Sequence, residues 1–290
     1  MSKNLMARIA VAVVAIPIIL WICYQGGWWL YGMVLLFALV GFSEFVINEG
    51  YHWYSTVSLV SLISVFLILS VSTLSGRYVQ LLESNFWGNG YYPAFPLIIL
   101  FFGISAMLFS IGTEPPAALF KKHSRLVWGV IYISLLYPYV FLLGDRIGPM
   151  TSDIVNGGDC LLFLFGLLWV GDTAAMGFGS WLGKHKLAPA VSPNKTVEGF
   201  IGGLAGALVI GLIMYFWKFQ QLAFYHIIIL SVGCSVFGQL GDLVESMWKR
   251  SLGIKDSSAI IPGHGGVLDR FDSLLFAAPF MFMYLISFIG

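Results

Sequence analysis

The residues best suited to chemistry lie close together near the end of the chain, in the segment 242–272. Long apolar runs precede and follow this segment, and the whole chain is only 10% charged. A charge cluster at the edge of a bilayer is costly unless its members pair, bind metal or face water, so the segment is a candidate functional site. Its charged and titratable residues are Asp242, Glu245, Lys249, Arg250, Lys255, Asp256, His264, Asp269, Arg270 and Asp272.

Three acids of the segment suit a metal ion. Asp269 and Asp272 are three residues apart, so a helix would place them on one face. Asp242 ends the preceding apolar run and adds a third carboxylate. Because carboxylate oxygens are the ligands that hard cations prefer, these three residues predict a Mg²⁺ site.

The basic residues of the segment suit phosphate groups, which arginine can grip through two hydrogen bonds. They are Lys249, Arg250, Lys255 and Arg270. The loop 262–266, Pro-Gly-His-Gly-Gly, lets backbone N–H groups approach an anion closely. Carboxylates for metal, cations for phosphate and a glycine loop together indicate phosphoryl or nucleotidyl transfer. For any single residue, a solvated loop with surface salt bridges is the alternative.

A second polar segment precedes the first along the chain. Asp172 lies inside an apolar run, where it needs a polar cavity unless it is a structural, hydrogen-bonded residue. Ser192 or Thr196 would cap the helix that follows, with Glu198 in its first turn. Lys195 beside a helix N-terminus also favours an anion site. The candidate binding residues here are Asp172, Ser192, Asn194, Lys195, Thr196 and Glu198.

Composition indicates a polytopic membrane protein. The chain is 59% hydrophobic, its mean hydropathy is +0.88, and its apolar runs repeatedly reach the roughly 20 residues that cross a bilayer as a helix. We predict an all-α fold in which residues 1–150 form scaffold helices and residues 151–290 the catalytic region of one continuous membrane domain. About nine spans are predicted, at about 6–24, 28–47, 56–74, 93–111, 126–144, 160–180, 199–217, 225–244 and 273–289.

Lysine and arginine divide unevenly between the loops that join these spans. With the N-terminus in the cytoplasm, twelve of the 15 lie on cytoplasmic segments, and Arg77, Arg146 and Lys218 lie on the other side. Because cytoplasmic loops carry the excess of positive charge, this division predicts a cytoplasmic N-terminus and places both polar segments at the cytoplasmic face. We expect a bacterial inner-membrane location and no nucleic-acid partner; a homodimer stays open.

The two polar segments resemble the signatures of phosphatidate cytidylyltransferases, also called CDP-diacylglycerol synthases. In 246–272 the likeness is carried by Ser246, Lys249-Arg250, Lys255-Asp256, Ser258, Ile261-Pro262, His264-Gly265-Gly266 and Asp269-Arg270-Phe271-Asp272. Trp248 stands where the family pattern has an aliphatic residue or Phe. Residues 192–199 resemble the family's S-P-x-K-T-x-E-G motif, and Asp172 with its neighbouring glycines resembles the segment before it.

The resemblance implies that CTP and phosphatidate react to give CDP-diacylglycerol and pyrophosphate in phospholipid biosynthesis. It implies a metal centre at Asp242, Asp269 and Asp272, with Mg²⁺ and optionally a monovalent cation such as K⁺. It assigns Lys249, Arg250, Lys255 and Arg270 to phosphates, and Asp172 and Lys195 with its loop to CTP. His264 would bind phosphate or shape the turn, and Asp256 would bind metal or pair near Lys255.

Two other functions compete with this interpretation. A CTP-dependent polyprenol or dolichol kinase would share the nucleotide and metal sites but transfer a γ-phosphate to an alcohol. A cation-coupled transporter would use Asp172, Asp242, Asp269 and Asp272 as an ion path. A transporter would place acids near the middle of several spans, whereas most acids here cluster at one edge beside arginines.

Overall fold

A computed structural model of the chain describes residues 3–79, 104, 115–261, 263 and 265–290, and most of them are helical. The helices are α1 (Lys3–Gln25), α2 (Gly27–Asn48), α3 (Thr56–Val79), α4 (Pro116–Leu136), α5 (Pro138–Asp145), α6 (Ile147–Met150), α7 (Gly157–Leu182), α8 (Val197–Trp217), α9 (Phe224–Ser251) and α10 (Leu268–Phe288). Two short strands, β1 (Lys186–Ala188) and β2 (Ser192–Thr196), form an antiparallel hairpin between α7 and α8.

The predicted class, an all-α integral membrane protein, is confirmed. Within the described ranges, seven helical segments are long and apolar enough to cross a membrane, and α1 adds a shorter apolar stretch, Val13–Gln25. Eight predicted spans lie within described helices, apart from one residue at the end of the last span, and the span 126–144 covers parts of both α4 and α5. The predicted span 93–111 lies outside the described residues except for Ile104. The total of nine spans and the orientation of the chain stay predictions.

Helices α9 and α10 both extend beyond the spans predicted for them into residues of the site. Helix α9 continues past residue 244 to Ser251, because charges four residues apart pair along it: Lys249 Nζ lies 3.3 Å from Glu245 Oε1. Helix α10 begins at Leu268, so Asp269 and Asp272 lie in its first two turns. The apolar pattern marks the part of each helix that crosses the bilayer, while the helical backbone continues into the polar edge.

The described chain falls into two compact units, Met1–Leu30 with Tyr139–Gly290, and Tyr31–Pro138. The second unit contains α3 packed against α4. All the described residues of the predicted site lie in the first unit. The division into scaffold and catalytic regions at residue 150 was made on the distribution of polar residues, and it stays a prediction.

Close helix packing in the first unit positions the site. Helix α7 packs along α8, and α9 packs against α10. A Cβ atom added at Gly241 of α9 would lie 2.5 Å from the Asp272 carbonyl oxygen of α10, so the two backbones approach closely where Asp242 and Asp272 occur. At the start of α8, Thr196 is the N-cap, and its Oγ1 accepts a hydrogen bond from Gly199 N at 3.1 Å. Of the two predicted caps, Thr196 is therefore the one used.

Candidate active site

One cavity of about 660 Å³ gathers most of the predicted site residues. Its walls come from α7, the β1–β2 hairpin, the start of α8, the C-terminal part of α9, and α10 with the loop before it. The two polar segments, far apart in sequence, therefore meet in one place. The predicted residues that line the cavity are Asp172, Asn194, Lys195, Thr196, Asp242, Lys249, Asp256, Asp269, Arg270 and Asp272.

Four predicted residues do not line the cavity: Ser192, Glu198, Arg250 and Lys255. His264 lies outside the described residues. The contacts of Glu198 and Arg250 indicate that both hold loops in place.

Glu198 and Arg250 act on opposite ends of the hairpin. The Glu198 carboxylate accepts hydrogen bonds from the backbone N–H groups of Lys184 at 3.1 Å and His185 at 3.2 Å, and lies 2.7 Å from His185 Nδ1. Arg250 Nε donates to the Val191 carbonyl at 3.2 Å, and its Nη1 donates to the Ile254 carbonyl at 2.7 Å. These bonds fix the hairpin relative to α8 and α9, which places Lys195 at the cavity.

Three carboxylates face the cavity, and their oxygen atoms are ligands suited to a divalent cation. Asp172, Asp242 and Asp272 lie close enough to repel one another electrostatically. Asp242 forms an ion pair with Lys195 and accepts a hydrogen bond from Ser246 Oγ at 3.2 Å. Asp272 is 9% exposed, and its Oδ1 accepts from Ser273 N at 2.6 Å. A bound cation would relieve the repulsion among these acids.

The residues fit Mg²⁺ bound together with a substrate better than a cage made by protein alone. Among the described residues, no group of three or more His, Cys, Asp or Glu side chains converges as a metal site. Mg²⁺ is usually held by one or two carboxylates together with substrate phosphates and water, so a three-carboxylate cage is not needed. Asp242 and Asp272, on neighbouring helices of one cavity, supply that number of carboxylates.

Asp269 has a different environment from the other acids, because donors from three directions already surround it. Its Oδ1 accepts from Lys249 Nζ at 2.5 Å. Its Oδ2 accepts from Ser257 N at 2.8 Å, Ser257 Oγ at 3.0 Å and Gly266 N at 2.8 Å. The three bonds to Oδ2 fasten both ends of the loop 257–266 to α10, which favours a loop-fixing role over direct contact with a metal.

Glu245, behind the cavity, and Gln239, on its wall, are polar residues to which the sequence analysis assigned no role. Glu245 belongs to the polar segment but received no role, although its spacing of four from Lys249 on a helix is a recognisable pairing signal. Gln239 lines the cavity and donates from Nε2 to the Phe200 carbonyl at 3.4 Å. A single amide within an apolar run gives little warning of such a position, because it serves equally well in ordinary contacts between membrane helices.

Gly265→Ala is expected to destabilise the loop before α10. Gly265 has a φ of +86°, and an added Cβ would lie 2.7 Å from Asp269 Oδ2, inside the set of bonds that holds the loop. The left-handed conformation costs an alanine about 1–2 kcal/mol, and displacing the Asp269 carboxylate would add to that cost. Thermal unfolding in detergent should show the loss.

Gly253→Ala provides a matched control for this prediction. Gly253 also has a positive φ, of +70°, but an added Cβ meets nothing within 4 Å. We expect it to lower the melting temperature by the conformational strain alone. Equal losses at Gly253 and Gly265 would contradict a role for the Asp269 contacts.

Comparison with known proteins gives one consistent result. A family model described as the cytidylyltransferase family matches residues 6–288. A phosphatidate cytidylyltransferase of Staphylococcus epidermidis is 32% identical over 280 residues, which are 97% of this chain and 98% of the relative. Proteins of the same name from Staphylococcus haemolyticus and Staphylococcus aureus are each 33% identical, over 280 and 281 residues, again 97% of this chain and 98% of each relative.

Proposed function

Because this chain belongs to the cytidylyltransferase family, we propose that it transfers the cytidylyl group of CTP to phosphatidate, releasing CDP-diacylglycerol and pyrophosphate. The observation that carries this proposal is the single cavity in which carboxylates and cationic side chains from both polar segments meet. Both substrates are anionic and repel each other. A cavity with oxygen ligands for a divalent cation and ammonium and guanidinium groups for phosphates suits their reaction.

In this reaction a phosphate oxygen of phosphatidate forms a bond to the α-phosphorus of CTP. The bond from that phosphorus to the bridging oxygen of the β-phosphate breaks, and pyrophosphate leaves. The lipid phosphate is itself the nucleophile, so no nucleophilic side chain is required. Lys195, Lys249 and Arg270 line the cavity and would offset the negative charge of the phosphates.

We assign Asp242 and Asp272 to Mg²⁺, and Asp269 to the loop that borders the site. A bound Mg²⁺ would stabilise negative charge on the phosphate groups. Lys195 pairs with Asp242, so a phosphate that takes Lys195 would also release Asp242 for the cation. Asn194 and Thr196 flank Lys195 in the hairpin and, with Asp172 on the facing wall, are proposed to border the nucleotide.

The location of the site suits a substrate that stays in the membrane. Most of its charged residues, Asp242, Lys249, Asp269, Arg270 and Asp272, lie on the polar ends of α9 and α10, both long and apolar enough to span a bilayer. The acyl chains of phosphatidate would remain among lipids while the head group enters the cavity. The distribution of lysine and arginine supports a cavity that opens to the cytoplasm of a bacterial cell, where CTP is available.

The test is a product assay on the purified protein with CTP, phosphatidate and Mg²⁺. We expect pyrophosphate and CDP-diacylglycerol in equal amounts, and no turnover when EDTA is added or diacylglycerol replaces phosphatidate. A lipid kinase would instead release CDP and phosphorylate polyprenol or dolichol. Release of CDP with an alcohol lipid, or no pyrophosphate with phosphatidate, would overturn the proposal.

A further inference from the structure

Glu245 is a buried acid behind the cavity that the proposed reaction does not yet use. It lies on α9 one turn before Lys249, is 1% exposed, and does not line the cavity. Neither of its carboxylate oxygens accepts a hydrogen bond from a donor in the described part of the chain. The carboxyl group of Asp272 lies within hydrogen-bond reach of it, and the nearby cation is Lys249, whose Nζ is 3.3 Å from Glu245 Oε1.

Lys249 is held between two acids from different helices. Its Nζ lies 2.5 Å from Asp269 Oδ1 of α10 and 3.3 Å from Glu245 Oε1 of α9. Lys249 is 8% exposed and lines the cavity, so this held ammonium forms part of the cavity wall. A lysine side chain is flexible and presents a point charge, so its placement depends on the groups that contact it.

Packing alone does not account for an acid at this position. A buried ion pair is often no more stabilising than apolar residues of similar volume, and a buried carboxylate without hydrogen-bond donors is costly. The Asp269 carboxylate divides its contacts between Lys249 and the loop 257–266. Glu245 makes no such second set of contacts with donors in the described residues, and the cation that its carboxyl group contacts is Lys249.

We propose that Glu245 is a positioning residue, which together with Asp269 fixes the Lys249 ammonium at the cavity wall and acts on the reaction through Lys249. This inference rests on the proposed function, in which Lys249 offsets phosphate charge. An ammonium already fixed in place need not reorganise when charge develops on the leaving pyrophosphate. Glu245 and Lys249 lie on the same helix. If Asp269 and the loop 257–266 move, Glu245 therefore still holds the Lys249 ammonium close to α9.

The test compares Glu245→Gln, Lys249→Met and the double variant by pyrophosphate release. Gln keeps the shape of Glu but loses its charge, so we expect kcat to fall about 10- to 100-fold while the KM values change much less. If Glu245 acts through Lys249, the double variant is no slower than Lys249→Met alone. If the ion pair merely stabilised the fold, breaking it in Glu245→Gln would lower the melting temperature and leave the kcat of the folded enzyme unchanged.

Asp159→Asn is the control for a lost ion pair. Asp159 Oδ1 lies 3.1 Å from Lys218 Nζ, and Asp159 is thirteen residues, about 20 Å of helix, from Asp172 on α7. We expect its kcat to match the wild type. The inference is overturned if Glu245→Gln keeps the wild-type kcat. It is also overturned if the loss of rate in the double variant equals the product of the losses in the two single variants.

Thermal unfolding separates failure of this inference from failure of the proposed function, because it needs no substrate. Lys249→Met leaves Glu245 buried without its cation, so adding Glu245→Gln should raise the melting temperature again. A double variant that melts no higher than Lys249→Met overturns the pairing, whatever the wild type catalyses. A wild type that releases no pyrophosphate while the two residues remain coupled in unfolding overturns the proposed function instead.

Discussion

Asp269→Asn is expected to reduce pyrophosphate release by about 10²- to 10³-fold, because it loosens the hold on the Lys249 ammonium, and losing one preorganised group that stabilises developing charge costs about that much. The Asp269 carboxylate accepts from Lys249, twice from Ser257 and once from Gly266. Asparagine has one oxygen and an NH₂ group. Whichever way it turns, the NH₂ group faces either the Lys249 ammonium or the backbone N–H groups of the loop.

The change should act on the loop, and proteolysis can detect that directly. We expect the segment 252–266 to be cleaved faster in Asp269→Asn than in the wild type, while the Mg²⁺ concentration that gives half-maximal rate stays similar. Asp153→Asn is the control, because Asp153 is exposed and has a φ of +58°, which asparagine also adopts readily. A protected loop together with a several-fold higher Mg²⁺ requirement would show instead that Asp269 contacts the metal.

The membrane-spanning helices were predictable because their signal is long and uniform. A run of about 20 apolar residues has few alternatives in a bilayer. Hydropathy does not mark helix ends, however, when a helix continues into polar surroundings. Helix α9 continues to Ser251 through charges that pair along it, which is a property of spacing rather than of hydropathy.

The β1–β2 hairpin was not predicted, for a physical reason. Its strands have three and five residues, and Ser192–Thr196 is polar with a proline inside, so no apolar alternation marks it as a strand. Tertiary contacts hold the hairpin in place. Arg250 donates to the Val191 carbonyl, and Lys195 pairs with Asp242.

Residue type predicted which side chains would gather, but it did not distinguish what each of them contacts. The spacing of Asp269 and Asp272 indicates one helix face, which suggested one shared role. In the structure, the loop 257–266 folds back onto Asp269 and leaves Asp272 at the cavity. The path of that loop depends on positive-φ glycines and on bonds that form only in the folded chain.

Asp272→Asn is expected to abolish Mg²⁺-dependent turnover, with a loss of about 10³-fold or more, because it removes a charge that the cation needs. The hydrogen bond described for Asp272 Oδ1 comes from Ser273 N, and an asparagine oxygen can accept it as well. The fold should therefore tolerate the change. Losing one of the neighbouring acids also reduces their mutual repulsion, so the melting temperature should stay level or rise.

Pyrophosphate release measured across a range of Mg²⁺ concentrations checks this, with thermal unfolding with and without Mg²⁺ and CTP as a second readout. Wild type and the Asp159→Asn control should be stabilised by Mg²⁺ with CTP, and Asp272→Asn should lose most of that stabilisation. If Asp272→Asn keeps the wild-type response to Mg²⁺, Asp272 is not a ligand of the metal.

The comparison with Asp269→Asn is then decisive, because substitutions at these two acids, three residues apart, are expected to have different effects. Asp269→Asn should open the loop and keep the Mg²⁺ response, whereas Asp272→Asn should keep the loop closed and lose it.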